Sequence, residues 1–91
     1  MKPDFGLAYY NLGLAYKDNK QMEEAIVAMR SAVTYAPTFL DAHFQLGVLS
    51  FNTGKNDQAR KSFEEVVRIA PQSDNARLAQ QYLDLLKKSG K

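Results

Sequence analysis

The chain has 91 residues, 45% of them hydrophobic, with a formal charge of +2 and no cysteine. That is enough for one small domain with a thin core, and it excludes disulfides, a thiol nucleophile and cysteine metal sites. No run of 18 apolar residues exists, so direct membrane insertion is not expected. Nucleic acid needs a one-signed basic stripe. Here cations alternate with acids, and Lys55, Asp57, Arg60, Lys61, Glu64, Glu65 and Arg68 read as a solvated helix face with i to i+4 pairs. The start Met-Lys-Pro-Asp has no apolar signal segment behind it, and the default expectation is a cytoplasmic location.

Along the chain, Asp4 after Pro3 is a suitable N-cap for a first helix, and from Phe5 to Tyr16 the apolar residues fall at helical spacing. A polar break at Asp18-Asn19-Lys20-Gln21 precedes a second periodic segment from Met22 to Tyr35. Pro37 ends that segment, since proline lacks the amide and disfavours helical dihedrals before it. Thr38 is then the expected N-cap of the next helix. The pair repeats: a helix through His43, Leu46 and Ser50, a turn at Gly54, a helix from Asp57 to Ile69, and a stop at Pro71. Asn19 and Gly54 are expected in left-handed dihedrals at the two turns. Ser73 caps a fifth helix from Asp74 to about Lys88.

The pairs are an internal repeat. Tyr9-x-x-Leu12-Gly13-x-x-Tyr16, Ala25-x-x-x-Met29 and Pro37 recur 34 positions later as His43-x-x-Leu46-Gly47-x-x-Ser50, Ala59-x-x-x-Phe63 and Pro71. Gly13 and Gly47 lie inside helices, where glycine costs roughly 0.5–1 kcal/mol relative to alanine, so a second helix is expected to pack closely there. Ala25 and Ala59 are its small partners. This pattern of spacing and period resembles the tetratricopeptide repeat. The resemblance implies an all-α, right-handed superhelix of antiparallel helix pairs with five helices. One domain would fill residues 1–91, with repeats at 6–39 and 40–73 and a capping helix at 74–88.

Tyr9, Leu12, Gly13 and Tyr16, then His43, Leu46, Gly47 and Ser50, are expected to receive the following helix. At the same offset the fifth helix carries Arg77, Gln80, Gln81 and Asp84, which favour water, so it reads as the polar cap that repeat arrays need. Ala76, Ala79, Leu83 and Leu86 would bury its other side. At the other end Ala8 and Ala15 resemble residues of internal helix contacts, and two readings stay open there: the C-terminal part of a longer array, or a dimer.

In the family, the first helices of successive repeats line a concave peptide-binding groove. Carried over, that groove comprises Leu7, Tyr10, Asn11, Leu14, Lys17 and Asp18 from the first repeat. The second repeat supplies Asp41, Phe44, Gln45, Val48, Phe51 and Asn52, and the cap adds Asn75, Leu78, Tyr82 and Leu85. Its apolar and aromatic stripe implies an acceptor for an apolar or amphipathic peptide or helix, with Tyr10, Phe44 and Tyr82 as anchors. Recognition of an acidic chaperone tail is not expected. The positions that would clamp its carboxylates hold Tyr10, Leu14, Gln45, Asn75 and Ala79.

Two competing readings stand beside this one. The aromatics can pack on one another as core, or the groove or N-terminal helix face can mediate homo-oligomerisation. Catalysis is not expected. His43 is the only histidine, so neither a triad nor a multi-histidine metal site is available, and no phosphate-cradling glycine loop exists. No metal or cofactor is therefore expected, and Glu23-Glu24 and Glu64-Glu65 are taken as solvated charge.

Overall fold

A computed structural model describes the backbone of residues 4–90 and the side chains of residues 4–88. Five helices follow one another: α1 (Phe5–Asp18), α2 (Met22–Tyr35), α3 (Leu40–Asn52), α4 (Asn56–Ile69) and α5 (Asp74–Gly90). The pairs α1–α2 and α3–α4 form two layers, α3 packs on α2, and α5 packs on α4 with a smaller contact to α3. The fold is the α-solenoid expected from the repeat.

The helix ends follow local chemistry. Asp4 caps α1, its Oδ1 accepting from the Leu7 amide at 3.0 Å. Ser73 holds the start of α5 in two directions: its Oγ accepts from the Ala76 amide at 3.0 Å and donates to the Ala70 carbonyl at 2.7 Å. Thr38 is not the cap of α3. Phe39 stands there without a side-chain cap, because Pro37 and Thr38 lie in a turn closed by the Phe39 amide on Ala36 O at 3.0 Å. The left-handed residue of the first turn is Lys20 (φ 63°), not Asn19 (φ −90°), because α1 runs on to Asp18 and moves the turn one place along. Lys20 lies 34 positions before Gly54 (φ 79°), so the two turns match.

The repeated helical glycines Gly13 and Gly47 each meet a large side chain, whereas Gly6 meets the Ala36 methyl. A Cβ on Gly47 would lie 2.7 Å from the Phe63 ring, and one on Gly13 would lie 2.8 Å from the Met29 terminal methyl. The two neighbours differ in how far they can yield. Phe63 is fully buried and stacked on Tyr82 at 4.6 Å, whereas the end of Met29 can rotate away. Gly47→Ala is therefore expected to lose about 1–2 kcal/mol net, overpacking outweighing the gain in helix propensity. Gly13→Ala should fall within about 0.5 kcal/mol of neutral, for the same two reasons in closer balance. Thermal midpoints of the two variants check this, and equal losses would contradict it.

The core consists of two clusters. Ala25, Ile26, Met29 and Ala32 of α2 join Ala42, Leu46 and Leu49 of α3, while Ala59, Phe63 and Val66 of α4 join Ala76, Ala79 and Leu86 of α5. One expectation about these faces needs correction. Gly13 and Gly47 do receive the following helix, but Leu46 packs back on the preceding layer. The equivalent Leu12, which no layer covers among the described residues, is 42% exposed against 5% for Leu46. Ala8 and Ala15 are likewise exposed, while Arg77, Gln80, Gln81 and Asp84 of α5 face water as the cap requires.

Candidate functional site

The first helix of each layer and α5 together carry every residue expected in the groove. On α1, Leu7, Asn11 and Asp18 are exposed, whereas Tyr10, Leu14 and Lys17 are half-buried. On α3, Asp41 and Asn52 are exposed, and Phe44, Gln45, Val48 and Phe51 are half-buried. On α5, Leu78 and Leu85 are exposed, and Asn75 and Tyr82 are half-buried. The helical spacing sets Leu7 beside Tyr10 and Leu14, and sets Leu78 and Leu85 beside Tyr82.

The aromatic members touch one another. Tyr82 lies with its ring 5.1 Å from Phe51 and 6.4 Å from Phe44, both edge-on, and stacks on Phe63. Phe44 also meets Phe63 at 5.8 Å, and Tyr10 meets Phe39 at 4.8 Å. These rings form a floor shared with the core. The most exposed apolar side chains of the face are Leu7, Leu78 and Leu85.

Polar contacts bridge the helices above that floor. Lys17 Nζ donates to Gln45 Oε1 at 3.4 Å between α1 and α3, and Asn75 Nδ2 donates to Asp41 Oδ1 at 3.1 Å between α5 and α3. A cation thus does stand next to Gln45. Ala79, expected both at a carboxylate-clamp position and among the residues that bury α5, is fully buried against α4 and holds only the second of those places. The Tyr10 phenol is held above its usual pKa, first by burial and then by the Asp41 carboxylate, so its neutral form is favoured.

His43 is buried, with Nε2 2.8 Å from the Pro37 carbonyl oxygen, a contact that ties α3 to the loop before it. Glu23 pairs with Lys55 at 3.2 Å across the layers, and Glu65 pairs with Arg68 at 2.7 Å. That arginine, chiefly by hydrogen bonding, holds Glu65 below the usual carboxylate pKa. The pairs along α4, Arg60–Asp57 and Arg68–Glu65, are spaced i,i+3 and exposed, so each adds little stability. Among the described residues no three His, Cys, Asp or Glu side chains converge on a metal site, and no helix is long and apolar enough to cross a membrane.

An apolar depression of about 330 Å³ lies away from this face, lined by Tyr9, Leu12, Tyr16 and Val27 with Glu23, Glu24, Ala28 and Ser31. Tyr9 and Tyr16 do pack on the α2–α3 cluster, as expected of residues that receive the following helix, and Tyr9 stacks on Tyr35 of α2. Leu12 does not; the available signal was the 34-residue offset, which maps it onto Leu46, a position that packs on the preceding layer.

Stacked helix hairpins with a polar cap define a helical-repeat scaffold. The chain belongs to the tetratricopeptide repeat family, whose model matches residues 16–83. It is 35% identical over 63 residues to human protein O-mannosyl-transferase TMTC3, covering 69% of this chain and 7% of that protein. Anaphase-promoting complex subunit 3 of Schizosaccharomyces pombe is 30% identical over 71 residues, covering 78% of this chain and 11% of that one. Two crystal structures of MamA superpose with TM-scores of 0.85 and 0.83 at 27% and 28% identity, covering 93% and 91% of this chain. The chain spans 48% and 44% of those solved chains. Proteins of this family generally serve as protein–protein interaction modules.

Proposed function

We propose that the chain is a non-enzymatic interaction module that binds an apolar or amphipathic segment of a partner polypeptide along the face of α1, α3 and α5. The observation that carries this reading is the presentation of Leu7, Leu78 and Leu85 around the half-buried floor of Tyr10, Phe44, Phe51 and Tyr82. An apolar side chain laid on this floor meets aromatic faces, and Asn11, Asp41 and Gln45 offer edge groups for its backbone. A single segment buries little area, so affinity should be about micromolar, as in small transient interfaces.

Phe44→Glu is a poor probe, since a charge placed 5.8 Å from the Phe63 ring centre would disturb the core. Leu78→Glu with Leu85→Glu is better, because both side chains are exposed. The double variant should keep its melting point within a few degrees. It should lose partners captured by the wild type from native lysate, and bind a peptide from any such partner at least tenfold more weakly in calorimetry, about 1.4 kcal/mol. Unchanged capture by a folded double variant would reject the groove. If equilibrium sedimentation instead shows an oligomer that the double variant dissolves, the groove is a self-association surface.

A further inference from the structure

The α1 end of the solenoid is chemically an interior surface. In the second layer His43, Leu46, Ser50 and Ser62 are buried, and Leu46 shares a cluster with Ile26 and Met29 of α2. Polar bonds complete that junction: Arg30 donates to Gln58 at 2.8 Å, and Lys55 pairs with Glu23 at 3.2 Å. Thirty-four positions earlier the same places are held by Tyr9, Leu12, Tyr16 and Ala28, with Glu24 where Gln58 stands. Those five residues line the 330 Å³ depression. The apolar surface continues through Tyr35, whose ring lies 5.6 Å from Tyr9 and 5.3 Å from exposed Phe5. Glu24 has no ion pair or hydrogen bond among the described residues.

We propose that this face receives a further helical hairpin of the same repeat type, stacked before α1. Its second helix lies on α1 and the start of α2 as α2 lies on α3 and the start of α4. The chain displays the required chemistry at its own inner junction. The incoming helix presents a stripe of alanines and branched or flexible aliphatics, as Ala25, Ile26, Met29 and Ala32 do, and an arginine or lysine at the place of Arg30. That cation pairs with Glu24 where Arg30 meets only a neutral amide.

A second copy offers the wrong surface in either orientation. Its α5 end shows Arg77, Gln80, Gln81 and Asp84 to solvent, and two α1 ends placed face to face bring no lysine or arginine from the lining residues to Glu24. The proposal is independent of the groove reading.

The absence of cysteine makes a direct test possible. Leu12→Cys puts one thiol on the face, in the full chain and in a chain extended by an extra copy of residues 4–37 placed in register before Asp4. Reaction with a disulfide reagent should be at least tenfold slower in the extended chain, with helicity per residue maintained. Arg30→Glu in the added copy alone should restore much of the rate. Equal rates in the two chains, or a loss of helicity showing that the added layer stays undocked, would overturn the proposal. So would a rate in the unextended chain that falls with protein concentration, which would assign the face to a second copy.

Discussion

Phe63→Ala is expected to cost about 3–5 kcal/mol, the range for emptying a buried aromatic site. The side chain is fully buried and touches two helices besides its own: it fills the space over Gly47 and meets Phe44 edge-on, both on α3, and stacks on Tyr82 of α5. Collapse around the deletion is hindered, because the ring contacts are fixed by helices that pack on α4 from two sides. A domain of this size has roughly 5–15 kcal/mol in total, so the variant should be largely unfolded at modest urea concentrations. Phe63→Leu keeps an apolar side chain but removes the stacked pair, worth about 0.5–1.5 kcal/mol beyond area, and should be intermediate. A urea midpoint for Phe63→Ala within error of the wild type would mean that α5 does not pack as described. Met29 occupies the equivalent site of the first layer, and its flexible chain makes that layer's interior less dependent on one ring.

The order and type of all five helices were legible because the 34-residue offset repeats the apolar spacing together with its glycines and prolines. Gly47 announced the close approach of a second helix, and Arg77, Gln80, Gln81 and Asp84 announced the side of α5 that is exposed among the described residues. Periodicity assigns a residue to a helix face without saying which neighbour meets that face. Leu46 was for that reason given to the following helix when it packs on the preceding one. The same gap affects the groove: helical spacing groups Phe44, Phe51 and Tyr82, but only the fold brings their rings within contact of Phe63 and of one another. Lys20 escaped notice because its side chain carries no left-handed preference, and the turn geometry is imposed by the stacking of α1 on α2. Phe39 replaces Thr38 at the start of α3 for a comparable reason, its ring being held against Tyr10.

Tyr82→Ala is the second large effect, expected at about 2–4 kcal/mol. The ring is half-buried, which sets it below Phe63, but it is the hub through which α5 meets Phe44, Phe51 and Phe63. Ala76, Ala79 and Leu86 still hold α5 to α4 without it, so the loss should be local. Repeat arrays couple each layer mainly to its neighbour. Amide exchange in α5 should accelerate first, with protection in α1 and α2 nearly unchanged. Tyr82→Phe preserves all three ring contacts and should be close to neutral, which separates the ring from its hydroxyl. These exchange patterns also decide what kind of residue Tyr82 is. Accelerated exchange in α5 makes it first a fastening of the cap, with partner binding lost only because the floor of the groove is lost. Unchanged protection together with lost partner capture would make it an anchor in its own right, and the contacts to Phe44 and Phe51 would then serve to orient the ring for a ligand.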